Sequence, residues 1–324
     1  MSSREKEILA QIVSQTQFKP EKVIWRSSYW GTAQIGAVHY QGTFKSQPAV
    51  LKIQGVKPEV SEILMIKEFA AQNRSKIIRP PKLYQTLSWQ EAKGYEALIM
   101  ESVVGKKILQ SGQLQSKEKI SQFFDYYQEY RKNCLPKKPW LPKPKKTDWH
   151  QNLKNLLSTS QRAYPSHPLR QPNDKKLATQ AFGLLKEIYQ NVPLEFIHGH
   201  FSVEDLVYQN HQVVLFANLF WKWQYPFYDT VFGYHWFIYT LERVKRIQPS
   251  QVEKQREIWL FELFNLPWVK KSPQNLRLLK AALLERAVAG LIIDSFLIDQ
   301  KRPMAEYLTQ STRNQVKNFL EELV

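Results

Sequence analysis

Phe196-Ile197-His198-Gly199-His200-Phe201-Ser202-Val203-Glu204-Asp205-Leu206-Val207-Tyr208, followed by Val213-Val214-Leu215-Phe216-Ala217-Asn218, is the stretch on which the fold turns. A loop dense in histidine and carboxylate lies between two short apolar runs, and Tyr228-Asp229 follows shortly after. An ordinary hairpin carries a charge or two at its tip. Titratable groups packed this closely between apolar strands point to a functional loop.

Working upstream, Ala49-Val50-Leu51-Lys52-Ile53 places a lysine inside an apolar strand. Burying an ammonium among branched side chains costs several kcal/mol unless an anion meets it. The next helical stretch, Pro58–Gln72, offers Glu62 and Glu68 as partners, with Val60, Ile63, Leu64 and Phe69 as its expected buried set. Pro80-Pro81 closes that region, because proline cannot continue a helix. Leu98-Ile99-Met100-Glu101-Ser102-Val103-Val104-Gly105 then runs from a strand into a connector, where free backbone N–H and C=O groups could dock a flat heterocycle.

The rest of the chain divides by periodicity. Residues 4–17 read as a short amphipathic helix. Tyr29–Tyr40, Pro48–Ile53, Leu83–Leu87 and Tyr95–Met100 read as strands. After Gly105, helices dominate: Lys117–Lys132, Trp149–Leu157, Leu177–Gln190, Thr230–Val244, Gln251–Phe264, Asn275–Ile298 and Pro303–Leu323. A strand-rich front and a helix-rich remainder make an α+β chain of two lobes, which 324 residues also suggest. The expected parts are an N-lobe over 1–104 and a helical C-lobe over 105–324. The C-lobe contains a proline-rich linker (135–146) and the polar loop with its strands (196–218).

Taken in order, these features resemble the aminoglycoside phosphotransferase and choline kinase family, which shares the protein-kinase fold. The features are the strand lysine, the helix glutamate, LIMESVVG, the His198-Gly199 loop with its strand pair, and Tyr228-Asp229, together spanning roughly residues 25–240. The resemblance implies a bilobal protein-kinase-like fold: a small antiparallel-sheet lobe with one helix, a hinge near Glu101–Val104, and a larger, mostly helical lobe. It also implies ATP between the lobes, with Lys52, Glu62, Met100, Glu101 and Val103 contacting the nucleotide, and a small-molecule hydroxyl as acceptor.

The chemically active positions depart from the family's pattern. Its catalytic loop reads H-G-D-x-x-x-x-N, with a second aspartate ending the following strand pair; these supply the base and the magnesium ligands. Here His200 stands at the base position, Asp205 at the asparagine and Asn218 at the strand-end aspartate. Asp205 and Asn218 keep one carboxylate and one carboxamide, in swapped places, as the candidate ligands for Mg2+, which wants hard oxygen donors. The first expectation is therefore a catalytically impaired pseudokinase that binds a nucleotide or a partner. The alternative is an active phosphotransferase with His200 as base and Asp205 as principal metal ligand, since a neutral imidazole can accept a proton near pH 7. The segment Trp30–Gly36 is at most a weak glycine-rich element.

Composition adds a third expectation. Lys+Arg 46 against Asp+Glu 29 leaves a formal charge of +17. Residues 131–146, RKNCLPKKPWLPKPKK, contain seven basic residues and no acidic one, with Trp140 among them. An extended, polyproline-like linker of this kind could bind RNA or another polyanion, the tryptophan stacking on a base. A lone Cys134 excludes an internal disulfide and a cysteine-based zinc site. No uninterrupted apolar run of about 20 residues is present to cross a membrane, so the chain reads as cytoplasmic. The aromatic segment Trp221–Phe237 reads as core.

Overall fold

The computed structural model describes residues 2–27, 36–144, 147–297 and 304–324. The weak glycine element at 30–36 lies, but for Gly36, outside the described residues. The chain opens with α1 (Ser3–Gln15), capped by the Ser2 hydroxyl, which accepts from the Glu5 N–H. There follow β1 (Phe18–Arg26), β2 (Ala37–Phe44), β3 (Gln47–Gln54), α2 (Glu62–Gln72), β4 (Ile78–Arg79), β5 (Leu83–Gln90) and β6 (Tyr95–Glu101). Next come β7 (Lys106–Lys107), α3 (Lys117–Glu129), α4 (Trp149–Ala163), α5 (Asp174–Ile188), β8 (Glu195–His198), β9 (Leu206–Gln209), β10 (Gln212–Leu215) and β11 (Trp221–Gln224). The chain ends with α6 (Tyr228–Thr240), α7 (Pro249–Phe264), α8 (Pro267–Lys270), α9 (Pro273–Ile292) and α10 (Met304–Leu323). Two compact units result: 1–106 with 207–219, and 107–206 with 220–324.

In the first unit, five antiparallel strands run β1-β2-β3-β6-β5. Lys45 and Ser46, both at positive φ, turn β2 tightly into β3. Strand alternation then sorts the side chains. Val38, Tyr40, Leu51, Ile53, Ala97 and Ile99 face one way and bury Ile8 and Ile12 of α1. Leu98 and Met100 face the other way and meet Ile63 and Ile66 of α2. A buried carboxylate locks α1 down: Glu5 accepts from both Arg26 guanidinium nitrogens (2.5 and 2.8 Å) and from the Tyr40 hydroxyl. Strand β10 pairs in parallel with β4, which ties 207–219 to this unit.

The second unit is helical around an aromatic core. Phe123, Tyr127, Tyr130 and Phe201 stack on one another, and Trp259 packs against Phe123. Helix α9 is buried on most of its circumference, which is why its sequence shows no narrow apolar stripe.

Three expectations shift. The sheet begins at Phe18, because residues 18–26 pair with β2 despite their exposed, charged sequence. On α2, Met65 and Ile66 are buried while Leu64 is 42% exposed and Val60 half-buried, since Ser61 caps the helix and sets its rotation. Helix α9 stops at Ile292 rather than Ile298, and a 3-10 turn follows over Asp294–Leu297.

If α1 is an integral layer, Ile12→Ala should cost about 2–5 kcal/mol in urea denaturation, as for other buried isoleucines. Leu9→Ala, half-buried at the edge of the same cluster, should cost clearly less.

Candidate functional site

In the first unit, register decides what Lys52 faces. Lys52 of β3 lies opposite His39 of β2 and Leu98 of β6, so the three share a sheet face. Its ammonium reaches Glu62 in a buried ion pair. Glu68 instead accepts from Gln72 on its own helix (3.4 Å). The Ser61 hydroxyl caps α2 through the Ile63 N–H (3.2 Å) and donates to Glu96 of β6 (2.7 Å), fixing the start of the helix that presents Glu62. Burial pushes the Glu96 carboxyl upward. Burial and then the Lys52 charge hold His39 down at about 3, so its ring is neutral. The Trp25 ring sits 4.8 Å from it. Neither Trp25 nor His39 stood out in the sequence; the strand pairing reveals them.

The LIMESVVG segment lies in the same unit. Met100 is buried against Ile63 and Ile66. The Glu101 carboxylate takes Arg79 as a two-toothed partner and accepts from the Lys82 N–H (2.8 Å), while the Glu101 N–H donates to the Lys82 carbonyl (2.9 Å). Val103 is half-buried in the extended stretch that follows. Ala217 adopts a left-handed φ of 57°, turning the chain out of β10 at Asn218. Asn218 is fully buried and its amide donates to the Leu215 carbonyl (2.9 Å).

In the second unit, the polar loop leaves β8 with its backbone held at both ends. The His198 N–H donates to the Tyr130 hydroxyl (2.7 Å) and the Gly199 N–H to the Phe220 carbonyl (2.9 Å). Phe201 plugs into the aromatic core. Gly233 of α6 lets the helix approach it, since a Cβ there would sit 2.3 Å from the Phe201 carbonyl oxygen. This anchoring presents His200, stacked on Phe220 (4.5 Å) and against Phe232 (4.1 Å).

His200 Nδ1 lies 2.6 Å from Asp205 Oδ2, and the Ser202 hydroxyl donates to that same oxygen (2.7 Å). Burial raises the Asp205 carboxyl, but the hydrogen bonds and charge of His200, with the Ser202 bond, outweigh it and hold the group below its ordinary value. An ionised carboxylate can only accept, so Nδ1 carries a proton. Ser202 was missed in the sequence, although its S-x-x-D spacing to Asp205 was a visible signal of a local turn. Glu204 is spent on Trp236 Nε1 (3.2 Å) and Arg243 (3.5 Å). Asp229 accepts from Tyr127 (2.9 Å) and the Thr230 N–H (2.8 Å), with Arg131 at 3.7 Å.

Two ligand questions follow. The ion-paired Lys52 suits a polyphosphate. Of the candidate metal positions, Asp205 accepts from two donors at Oδ2, and Asn218 is a neutral amide, a poorer ligand than a carboxylate. No group of three or more histidine, cysteine or acidic side chains converges among the described residues. The 131–146 run is also less available than its composition suggests. Arg131 pairs with Glu195 (2.7 Å), and Trp140 packs edge-on against Phe196 (4.9 Å) and Trp221 (5.3 Å). The Trp223 indole N–H donates to the Leu141 carbonyl (2.9 Å). Trp140 is thus a core contact rather than a free stacking platform.

No family model matches this sequence, and no curated protein sequence matches it. Solved structures do. Aminoglycoside phosphotransferase APH(4)-Ia is similar at a TM-score of 0.61 and 10% identity, with 99% of each chain covered. The microcompartment-associated aminopropanol kinase is similar at 0.56 and 12%, with 98% of each chain covered. Choline kinase from Cryptosporidium parvum is similar at 0.53 and 11%, over 98% of this chain and 97% of that one. The chain therefore has the protein-kinase-like fold of aminoglycoside phosphotransferases and choline kinase, with a small antiparallel-sheet part and a larger helical part. No helix among the described residues is long and apolar enough to cross a membrane.

Two pH dependences follow. The depressed Asp205 carboxyl contributes stability that is present above its ordinary value of 3.8 and lost as pH falls through its folded value. Asp205→Ala should cost about 1–3 kcal/mol at neutral pH by leaving the Ser202 and His200 donors unpaired, and melting curves from pH 3 to 8 should show a smaller acid loss. Glu285 behaves oppositely: burial raises it from 4.5 to about 7, against Lys222 and Arg286. Its contribution is complete below 4.5 and is lost as pH rises toward 7. Glu285→Gln should therefore melt higher than the parent above pH 7 and flatten the slope between those values.

Proposed function

We propose that this protein is a nucleotide-binding, kinase-fold protein in which metal-dependent phosphoryl transfer is impaired. The observation that carries this is the state of Asp205, one of whose carboxylate oxygens, Oδ2, is held by both His200 and Ser202. Phosphoryl transfer depends on positioning and on neutralising phosphate charge, and magnesium does much of both. A carboxylate with one oxygen held by two protein donors is a weakened ligand for that ion. The Lys52–Glu62 pair supports retained nucleotide binding, with Lys52 contacting phosphate oxygens and Met100, Glu101 and Val103 beside the base. Structures of APH(4)-Ia variants with AMP-PNP or ADP and hygromycin B show that a chain of this fold takes a nucleotide and a small molecule together.

One observation favours a second reading. The Asp205–His200 hydrogen bond engages Nδ1, as in the general bases of hydrolases, and would leave Nε2 as the nitrogen to accept a proton. In that case an alcohol bound near His200 would lose its proton to Nε2 as its oxygen bonds the γ-phosphorus of ATP, the bond from that phosphorus to the β,γ-bridging oxygen breaks and ADP leaves, and Asp205 would stabilise the imidazolium.

Calorimetry with ATP separates the possibilities. ATP should bind the full chain, Lys52→Ala should abolish binding, and magnesium should change affinity less than about threefold, under 1 kcal/mol. Mass-detected transfer to a panel of small alcohols should show no turnover. Magnesium-dependent turnover lost in His200→Gln would establish the second reading. No ATP binding would remove both.

A further inference from the structure

We propose that the cavity bounded by α4, the 164–173 loop, the start of α5 and the end of α9 binds an organic anion with an apolar body. It stands apart from the His200 loop, since no residue of 196–218 lines it, and it lies wholly within the second unit. Its volume is about 920 Å³, the size of a small-molecule site.

The lining has two chemistries. Leu153 and Leu157 of α4 form an apolar wall with Leu291, Ile292 and Phe296. Exposed apolar surface in a concavity is relieved by an apolar ligand. Lys154, Arg170 and Lys175 also line it, and among the described residues none of the three has a carboxylate partner. Asp174, its one acidic lining residue, is already neutralised. It accepts from Arg313 Nε (2.7 Å) and Nη2 (3.1 Å) and from the Gln171 N–H (2.8 Å).

Arg170 is set in place before any ligand arrives. Its guanidinium donates to Gln161 Oε1 (2.6 Å) and Ser160 Oγ (2.9 Å) and lies 5.1 Å over the Phe296 ring. These partners are neutral, so the charge persists. His167 is stacked on Phe296 at 4.2 Å, and burial and then Arg170 lower its basicity, which favours its neutral form. Three uncompensated cations beside an apolar wall select against cationic ligands. They also select against small inorganic anions, which would leave the wall in water. A carboxylate or phosphate ester on an aliphatic or aromatic body satisfies both parts.

The test uses the full chain and dodecanoate as probe, with dodecyltrimethylammonium and inorganic phosphate as controls, by calorimetry and thermal shift. Dodecanoate is expected to bind one to one and to raise the melting temperature, with little response to either control. Lys154→Glu/Lys175→Glu changes only exposed side chains. It should weaken dodecanoate at least about tenfold, or 1.4 kcal/mol, and turn the preference toward the cationic amphiphile. Leu157→Trp, which fills the cavity, should abolish binding while the Lys52→Ala-sensitive response to ATP is unchanged. The proposal is overturned if dodecanoate does not bind, if the cationic control or phosphate binds as well, or if charge reversal leaves dodecanoate affinity unchanged.

Discussion

A buried ammonium on a β-strand is tolerable only if an anion meets it inside the protein, and the Lys52–Glu62 pair meets that constraint. Much of the first unit is arranged around it. The β2–β3–β6 register sets the face on which Lys52 emerges. The Ser61 cap, braced by Glu96, sets where α2 begins and so where Glu62 points. Ile63 and Ile66 press the helix onto Leu98 and Met100, while α1 seals the opposite face. A lysine so placed, held by one carboxylate, is positioned as a phosphate-contacting lysine needs to be.

The His200 loop carries the complementary tension. Its backbone is fixed by Tyr130, Phe220 and the Phe201 plug, so its geometry does not depend on metal coordination. Within that frame the acidic side chain turns toward its own loop. Asp205 completes a turn with Ser202 and a charge-assisted bond to His200, and both draw on the lone pairs of one oxygen, Oδ2. The same bond organises an imidazole. The substitutions therefore form a consistent local set: histidine at the base position requires a partner for Nδ1, and an aspartate five residues later supplies it.

Much of this was legible in the sequence. The strand lysine, the switch from strands to helices after Gly105 and the histidine-rich loop each carry a local signal of periodicity or charge density. Residues that act through tertiary placement did not. His39 reaches Lys52 only by cross-strand pairing, and β1 is charged and exposed, so its strand character comes from pairing with β2 rather than from an apolar alternation. Trp140 sits in a segment that composition marks as a basic linker, yet it packs on Phe196 and Trp221. The choice between Glu62 and Glu68 rested on the rotation of α2, which the Ser61 cap decides. The cavity by Arg170 had no sequence signature, because its wall joins the 150–179 stretch to Leu291, Ile292 and Phe296, more than a hundred residues later.

Arg131, Arg286 and Arg313 are matched by Glu195, Asp294 and Asp174 inside the second unit and so add nothing to the surplus of +17, to which Lys154, Arg170 and Lys175 at the α4–α5 cavity contribute. The most direct test of the central claim, that Asp205 serves His200 rather than a metal, is nitrogen-15 NMR of the imidazole nitrogens at neutral pH, with and without millimolar magnesium in the presence of ATP. A His200 Nδ1 that stays protonated and hydrogen-bonded under both conditions is the expected result. Loss of that Nδ1–H signature on adding magnesium would show the carboxylate leaving for the ion and would contradict it.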